Sequence, residues 1–491
     1  MDRQYPTYRG SSSATGAPAD APVDQAVVAS GSENPPAADA ETPAVKTTPE
    51  ARTESPSTTP ETPGASPAAP DPFATPDDSR PVSSARSNAR PAFQQRYFHS
   101  RRINKNELDQ PWKLVKDPME KWVTIIPIIG LIMGLAVAGY LVYDGVKSVV
   151  QHKYCPVYED NFANGFNTDI WTKEAEVGGF GNGQFEQTTT TDENVFVENG
   201  KLIIRPTLQD ENLVYGNTVI NLTADGTCSS DILKNCVSIT NLTTGTIIQP
   251  VKSGRINTKK GATIKYGRVE VTAKIPEGDW IWPAIWMLPV NSTYGAWPLS
   301  GEIDIMESRG NNYTYEQGGN NIVSSALHWG PDSANDAWWR TNVKRKALHT
   351  TYSAKSHTFG LEWSEKYLFT YIDSRLLQVL YTNFDRPLWR RGKFPAADSN
   401  GTRIVDPWSQ TGHFQAPFDH QFYLVINVAV GGTNGWFDDG KSGKPWVDAS
   451  PTAKNDFWNS RDEWLPTWRN NGQMEVSKVK MWQQCDGGEL E

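Results

Sequence analysis

The stretch Glu302-Ile303-Asp304-Ile305-Met306-Glu307 is the most informative part of this chain. Side chains of a β-strand alternate between two faces, so Glu302 and Asp304 share one face and Glu307 falls on the other. One extra residue, absorbed as a β-bulge, returns Glu307 to the face of Glu302. Three carboxylates then line one side of a strand whose other residues are apolar. Because unpaired buried carboxylates cost several kcal/mol each, the pattern predicts a strand that carries a functional site.

The spacing of these acids indicates a particular chemistry. Across the bulge, Glu302 and Glu307 are effectively four positions apart, about 13 Å at roughly 3.3 Å per residue. Two glutamates that lean inward bring their carboxyl groups to about 5 Å, the separation used in retaining glycoside hydrolysis. There, one carboxylate attacks the anomeric carbon while the other protonates the leaving oxygen and then activates water. Asp304 lies between them, where it can hold the pair in unequal protonation states.

Several segments around this strand resemble glycoside hydrolase family 16. They are WPAIWMLP at 282–289, WPLSGEIDIMESRG at 297–310, SALHWGP at 325–331, VINVAVGGTNGWF at 425–437 and DFWNSRDEWLPTW at 456–468. The resemblance covers about residues 158–484 and is to the laminarinase-like branch and the β-1,3-glucan-recognition proteins. It implies an all-β fold, a concanavalin-A-like β-jelly-roll sandwich with a sugar cleft on one sheet.

The resemblance also implies roles for individual residues. Glu302 matches the nucleophile, Asp304 its electrostatic helper and Glu307 the acid/base. The expected substrate-binding residues are Asn182, Arg255, Trp282, Trp286, Trp297, His328, Trp329 and Asn427. Trp286 and Trp297 match aromatic residues near the scissile sugar, and His328 matches a histidine beside the acid/base. With Trp280 and Trp436, these tryptophans cluster around the acidic strand, where indoles can stack on the apolar faces of sugar rings.

One stretch departs from the family pattern. Many members carry Asn-x-Glu-x-Gln-x-Tyr where this chain has Asn182-Gly-Gln184-Phe-Glu186-Gln-Thr188. Asn182 matches, whereas Gln184, Glu186 and Thr188 differ. The contacts to the non-reducing sugars therefore stay open, and the choice of linkage stays open with them.

The first hundred residues differ in composition from the rest. Residues 1–91 hold 16 of the 34 prolines and only three aromatic residues. Such a segment cannot bury enough apolar surface to offset its ordering entropy. We therefore predict a disordered arm over residues 1–100, followed by a basic segment over residues 101–121.

A stretch of 22 residues without charge follows, from 122 to 143. As a helix at 1.5 Å per residue it spans about 33 Å, enough for a hydrocarbon core of ~30 Å. Lysine and arginine are frequent before this stretch, whereas only Lys147 and Lys153 occur in the 20 residues after it. The positive-inside rule then predicts a type II signal anchor, with a cytoplasmic arm and a lumenal or extracellular C-terminal domain in the secretory route or at the cell surface.

Two further patterns agree with this orientation. Asn-x-Ser/Thr sequons, which predict glycosylation, begin at Asn221, Asn241, Asn291, Asn312 and Asn400, all after the apolar stretch. The four cysteines also lie after it, at Cys155, Cys228, Cys236 and Cys485. An oxidising compartment favours disulfides, and four cysteines allow three connectivities, which the sequence leaves open.

The region 155–491 is predicted to be a single β-sandwich domain. The segments 266–275, 357–364, 367–373 and 422–430 alternate or are continuously apolar and β-branched. Gly, Pro, Asn and Asp clusters bound them, as in all-β sandwiches. We expect no amphipathic helix in this domain, and at most one short helical turn in DFWNSRDEW at 456–464.

These observations predict a membrane-anchored, retaining endo-β-1,3-glucanase that hydrolyses or transfers glucan and needs no cofactor or metal. The layout resembles fungal membrane proteins that build or remodel cell-wall glucan. Two alternatives stay open: a glucan-binding receptor without turnover, and a hydrolase of mixed-linkage glucan or galactan. A net charge of −9 argues against a nucleic-acid partner. Gly130 and Gly134 form a small-xxx-small pair that predicts weak homodimerisation through the membrane helix.

Overall fold

A computed structural model describes residues 100–104, 106–107, 109–148, 152–398 and 400–485. Apart from Ser100, the arm predicted at 1–100 lies outside the described residues. The described residues up to 148 form one unit, and those from 152 onward form another.

The first unit is dominated by one helix, α1 (Glu120–Ser148), preceded by a short 3-10 helix (Pro111–Lys113). From Glu120 to Gly145, this helix has the length and composition to cross a membrane. Its large apolar side chains are exposed, as a lipid-facing helix requires. The predicted helix is therefore confirmed, and its insertion in a membrane stays a prediction.

The second unit consists mainly of short strands with a few helices. The strands are β1 (Tyr154–Asp160), β2 (Thr172–Lys173), β3 (Glu186–Thr188), β4 (Val195–Glu198), β5 (Lys201–Ile204), β6 (Thr207–Leu208), β7 (Val219–Asn221), β8 (Val237–Ile239), β9 (Val251–Ser253), β10 (Arg255–Asn257), β11 (Thr263–Ile264), β12 (Gly267–Lys274), β13 (Ile281–Pro289), β14 (Glu302–Ser308), β15 (Ile322–His328), β16 (Asn342–Lys346), β17 (His357–Trp363), β18 (Tyr367–Ile372), β19 (Ser374–Asn383), β20 (Phe422–Val430) and β21 (Met474–Gln484). The helices are α2 (Glu211–Tyr215), α3 (Leu233–Cys236), α4 (Leu388–Gly392), α5 (Ala453–Asn459) and α6 (Arg461–Trp468), with 3-10 helices at Gly179–Gly181, Ser333–Asn335 and Trp338–Arg340.

Two antiparallel sheets make up most of this unit. The front sheet has the order β16-β15-β14-β13-β20-β10-β2, and β11 also pairs with β20. The back sheet has the order β19-β18-β17-β12-β21-β5-β4, and β1 also pairs with β21. The four segments predicted as strands at 266–275, 357–364, 367–373 and 422–430 correspond to β12, β17, β18 and β20.

The two sheets pack face to face around one large hydrophobic core. Strand β12 alternates strictly between buried and half-buried residues, because only one of its faces meets the front sheet. Trp363 of the back sheet packs edge-on against Phe422 of the front sheet, with ring centroids 5.4 Å apart. The Thr370 hydroxyl donates to the Ser325 hydroxyl across the same interface at 2.8 Å. This arrangement confirms the predicted β-jelly-roll sandwich.

The predicted bulge in β14 is confirmed. In the pairing with β15, Asp304 lies opposite Ala326 and Glu307 lies opposite Ser324. Two residues of β14 therefore face the single residue Ser325 between these pairs, which is the two-to-one pattern of a bulge. The pairing of β14 with β13 shifts register at the same level.

The expectation of at most one helical turn at 456–464 is wrong, because α5 and α6 both form there. Phe457, Trp464 and Trp468 follow one another at helical spacing and are all buried in the core. The rings of Phe457 and Trp464 stack with centroids 4.4 Å apart. Burial of these aromatic side chains stabilises two short helices although Pro466 lies inside the second one.

Both disulfides form, and the structure selects their connectivity. Cys155 pairs with Cys485, joining the start of β1 to the residue after β21, and Cys228 pairs with Cys236 around α3. The sequon asparagines are Asn221, which is half-buried, and Asn241, Asn291, Asn312 and Asn400, which are exposed. Glycosylation at these positions stays a prediction.

Candidate active site

The bulge sets which side chains of β14 leave the core. Ile303, Ile305 and Met306 all join the hydrophobic core between the sheets. Glu302 and Glu307 are half-buried on the outer face of the front sheet, and Asp304 between them is buried. The three predicted catalytic carboxylates therefore occur together on one face.

Glu302 is held on the side of the loop that joins β13 to β14. The indole N–H of Trp297 donates to Glu302 Oε2 at 3.0 Å. The ring of Trp297 is 46% exposed, so it forms an open aromatic wall above the carboxylate. Burial, followed by the charge of Asp304, raises the pKa of Glu302 well above its ordinary value.

Glu307 is also held by a tryptophan, which belongs to the neighbouring strand β13. The indole N–H of Trp282 donates to Glu307 Oε1 at 3.0 Å. Trp282 stacks on Trp436 with ring centroids 4.6 Å apart and an interplanar angle of 12°. Burial, followed by the charge of Asp304, raises the pKa of Glu307 to about 8. A carboxyl group with that pKa carries a proton at neutral pH.

His328, at the end of β15, lies on the Glu302 side of this cluster. Its Nε2 is 3.3 Å from Asp304 Oδ2 and 3.9 Å from Glu302 Oε1. Its Nδ1 is 2.5 Å from Asp336 Oδ2. Burial lowers the pKa of His328, but the hydrogen bonds to Asp304 and Asp336 outweigh it and raise the pKa well above its ordinary value. The imidazole was expected beside Glu307, whereas its nearest carboxylates are those of Asp336, Asp304 and Glu302.

A polar row continues across the front sheet from the carboxylates. The indole N–H of Trp286 donates to Asn427 Oδ1 at 2.7 Å. Arg255 lies opposite Asn427 in the strand register. Its guanidinium contacts the rings of Phe180 and Trp286, at 4.1 and 4.7 Å from their centroids. The structure therefore brings Trp286, Asn427 and Arg255 into one surface, and it adds Phe180, which the sequence did not indicate.

Asn182 lies beside the loop that carries Trp436. Its carbonyl accepts from Thr433 N at 3.0 Å, and its side-chain oxygen accepts from Asn434 Nδ2 at 3.1 Å. Both of these acceptors are bound within the protein. Asn182 therefore contributes to the shape of that loop, and its expected contact with sugar stays a prediction.

Trp280 and Trp329 were expected in the cleft, but both pack in the core and, unlike the buried Trp282, donate no hydrogen bond to a carboxylate of the site, which corrects the sequence prediction. Trp329 is fully buried, its indole N–H donates to Thr341, and its ring packs against Phe394. Trp280 is also buried and packs edge-on against Trp446. Alternation at the end of β15 sends His328 outward and Trp329 inward, so only one of these neighbours can face the cleft.

Besides Phe180, three polar or aromatic neighbours of the site were missed by sequence reasoning. Asp336 contacts His328, Trp338 stacks near the same imidazole at 6.2 Å between ring centroids, and Arg309 contacts Trp436. Asp336 and Trp338 come from a loop and a 3-10 helix after β15, and nothing local marks them as site residues. Arg309 stands inside the quoted family motif, which was the available signal.

One group in the site has the residue types of a metal centre. Glu302, Asp304 and His328 each offer a ligand atom, and these atoms lie within 4.8 Å of one another. Asp304 and Asp336 raise the pKa of His328 well above its ordinary value, so the imidazole holds its protons more tightly than usual. The residues therefore fit a protonated histidine better than a metal ligand, which must be deprotonated.

Sequence comparisons place the chain in a family. The profile described as "Glycosyl hydrolases family 16" matches residues 204–400. A protein of Penaeus monodon named "Beta-1,3-glucan-binding protein" is 38% identical over 343 residues, which are 67% of this chain and 90% of that protein. With a relative at this identity and coverage, the chain belongs to glycoside hydrolase family 16.

Other relatives carry two kinds of name. "Glucan endo-1,3-beta-glucosidase" of Cryptopygus antarcticus is 30% identical over 321 residues, which are 64% of this chain and 92% of that protein. "Gram-negative bacteria-binding protein 1" of Drosophila melanogaster is 31% identical over 284 residues, 56% of this chain and 54% of that protein. Among solved structures, the catalytic domain of an endo-1,3-beta-glucanase from Thermotoga petrophila matches with 25% identity and a TM-score of 0.42, covering 68% of this chain and all of that one.

Proposed function

We propose that this protein is a retaining endo-β-glucanase that cleaves internal β-1,3-glucosyl linkages, by hydrolysis or by transfer to another glucan. The observation that carries the proposal is the pair of glutamates on one face of β14, each bound by an indole N–H, with Asp304 between them. Relatives named as β-1,3-glucosidases and as β-1,3-glucan-binding proteins support glucan as the substrate.

In the first step, a carboxylate oxygen of Glu302 bonds to C1 of the sugar, and the C1–O3 bond breaks. The proton of Glu307 moves to the departing O3, which leaves as a hydroxyl. In the second step, the Glu307 carboxylate takes a proton from water, whose oxygen bonds to C1 as the Glu302 ester bond breaks. When a glucan hydroxyl replaces water, the same step gives transglycosylation.

The electrostatics supply the proton that this reaction needs. Burial and the charge of Asp304 raise the pKa of both glutamates, so the cluster retains a proton at neutral pH. The positive charge of His328 lowers the pKa of both glutamates against this larger effect. We assign the retained proton to Glu307, because this residue matches the acid/base of family 16.

A second candidate function is glucan binding without turnover. The relative from Penaeus monodon, named for glucan binding, favours it. In the recognition branch, the catalytic glutamates are typically replaced, whereas this chain has Glu302, Asp304 and Glu307. The intact set of carboxylates therefore supports an enzyme.

The deciding experiment uses the full chain in detergent with laminarin, lichenan and β-1,6-glucan as substrates. We expect laminarin to release oligosaccharides whose new reducing end first appears as the β-anomer in proton NMR. Glu302→Gln and Glu307→Gln should each lower turnover by several orders of magnitude while laminarin binding and thermal stability are retained.

Trp339→Phe serves as the control, because this indole is exposed and its ring contacts Arg340 instead of the carboxylates. Laminarin binding without cleavage by the wild-type chain would support the second candidate function. Cleavage by Glu302→Gln at the wild-type rate would remove the nucleophile assignment.

A further inference from the structure

Arg309 is a buried cation that the proposed reaction does not use directly. It follows β14, two residues after Glu307, and only 5% of it is exposed. Among the described residues, no carboxylate oxygen forms an ion pair with its guanidinium. Its Nε and Nη2 instead donate to the carbonyl oxygen of Trp436 at 3.0 and 2.5 Å. Because a buried charge without an ionic partner costs free energy, stability alone does not explain this residue.

The guanidinium also contacts the ring of Trp436, with its central carbon 4.1 Å from the ring centroid. Trp282 stacks on the same indole at 4.6 Å. An indole has two faces, and since Trp282 covers one of them, Arg309 covers the other. The three flat groups therefore form one stack, with Trp436 in the middle.

The far end of this stack reaches Glu307. Trp282 donates its indole N–H to Glu307 Oε1. A hydrogen bond to a carboxylate favours its ionised form, and so does a nearby positive charge. Both the Trp282 bond and the charge of Arg309 accordingly lower the pKa of Glu307, against the larger effect of burial.

The loop that carries Trp436 has anchors that do not involve Arg309. Gly435 N donates to Asp448 Oδ2 at 2.8 Å, and the buried Lys444 ammonium donates to the carbonyl of Phe437 at 2.8 Å. The backbone on both sides of Trp436 is therefore held independently. What Arg309 adds is a hold on the carbonyl of Trp436 itself and a contact with its indole ring, which together orient that ring.

We propose that Arg309 is a positioning residue, which holds the Trp436–Trp282 pair so that the indole N–H of Trp282 stays on Glu307. The consequence for catalysis rests on the proposed function, because it requires Glu307 to be the acid/base. The geometric part does not depend on catalysis.

The test compares Arg309→Met, which removes charge and stacking, with Arg309→Lys, which keeps the charge without the planar group. For Arg309→Met we expect kcat on laminarin to fall roughly 10-fold to 100-fold. The alkaline limb of the pH profile should move to higher pH, because two influences that lower the pKa of Glu307 are lost. Arg309→Lys should show a smaller shift. If the substitution only reduced the amount of folded protein, activity would be lower at every pH and the alkaline limb of the pH profile would not move.

Arg268→Met is the matched control. Arg268 lies on β12 of the back sheet, where its guanidinium is 5.1 Å from the ring centroid of Trp482. This substitution also removes an arginine that contacts a tryptophan, but far from Glu307 in the strand order. It should leave the alkaline limb unchanged.

A second readout separates this proposal from the proposed function. In the full chain labelled with 15N-tryptophan, the indole resonance of Trp282, assigned with Trp282→Phe, should titrate with Glu307. The pH midpoint of this titration should be higher in Arg309→Met than in the wild-type protein. This expectation holds even if the wild-type protein proves unable to cleave laminarin. If Arg309→Met does not fold, Arg309→Lys and Trp436→Phe supply the same measurement. If the folded variants keep both the wild-type pH midpoint of the Trp282 resonance and the wild-type alkaline limb of the activity profile, the positioning role of Arg309 is overturned.

Discussion

Asp336 determines how His328 contributes to the site. One oxygen of Asp336 accepts from the backbone N–H groups of Trp329 and Trp338, both at 3.1 Å, and the other faces His328 Nδ1. A carboxylate in that position stabilises a proton on Nδ1 and thereby the doubly protonated imidazole. The charge of His328, in turn, lowers the pKa of both Glu302 and Glu307.

Asp336→Asn should shift the pH profile of kcat/KM as a whole to higher pH. The asparagine oxygen can keep the two backbone bonds, so its amide N–H group then faces Nδ1 and favours a neutral imidazole. Without the cation, the pKa values of Glu302 and Glu307 both rise. Since the acid limb reports ionisation of the proposed nucleophile, activity near pH 5 should fall several-fold, whereas activity near pH 8 should be retained or increased.

The measurement is kcat/KM for laminarin between pH 4 and 9. Asp332→Asn is the control, because Asp332 belongs to the same loop but binds Asn335 instead of the histidine. A profile of Asp336→Asn that coincides with that of the control would contradict the role given to the imidazolium.

At the scale of the element, strand β14 depends on its residue count. Met306 is fully buried and lies opposite Ile285 of β13, while Glu307 lies opposite Ala284. Ordinary alternation would send Glu307 into the core, and the inserted residue corrects this. The bulge therefore places Glu307, the proposed acid/base, and packs two adjacent apolar residues, Ile305 and Met306, on the core side.

Deletion of Met306 should be far more damaging than Met306→Leu. Leucine keeps the residue count and nearly the same volume, so we expect a cost below about 1.5 kcal/mol and nearly normal turnover. Deletion gives Glu-Ile-Asp-Ile-Glu, which can still align three acids, but it removes the buried Met306 side chain from the core and shortens the chain before Ser308 and Arg309.

Ser308 donates its hydroxyl to the carbonyl of Ile322 at 2.7 Å, and Arg309 contacts Trp436, so the deletion disturbs both. Thermal unfolding and laminarin hydrolysis of the two variants provide the check. Equal stability and equal activity of the deletion and leucine variants would show that the bulge is unimportant.

At the scale of the whole molecule, the Cys155–Cys485 disulfide closes the domain near the point where the chain leaves the helical unit. The bond joins residues 330 positions apart, so it restricts the unfolded chain strongly. A domain stabilised by disulfides is suited to an oxidising compartment, in agreement with the predicted lumenal or extracellular location.

Sealed microsomes that contain the full chain test this location. Added protease should remove the N-terminal arm and spare a glycosylated fragment that starts near the beginning of α1 (Glu120–Ser148) and contains this helix. Removal of N-glycans should then increase the mobility of that fragment, and protease with detergent should digest it. A fragment without glycans, or a domain that is digested in sealed vesicles, would contradict the orientation inferred from lysine and arginine counts.

Local patterns in the sequence determined a large part of this protein. Side-chain alternation with a period of two, broken by one inserted residue, was enough to place Glu302, Asp304 and Glu307 on one face. Continuous apolar and β-branched runs predicted strands such as β20. These features depend on residues a few positions apart, so they can be predicted from the sequence alone.

Only the tertiary structure decided which residues complete the site. Arg309 meets Trp436 across 127 residues, and the imidazole of His328 is directed by Asp336 from a loop that carries no local signal. The tertiary structure also decided that Trp329, which shares a motif with His328, lies in the core. Contacts of this kind depend on the paths of loops and on the packing of two sheets. Periodicity along a single strand contains no information about either.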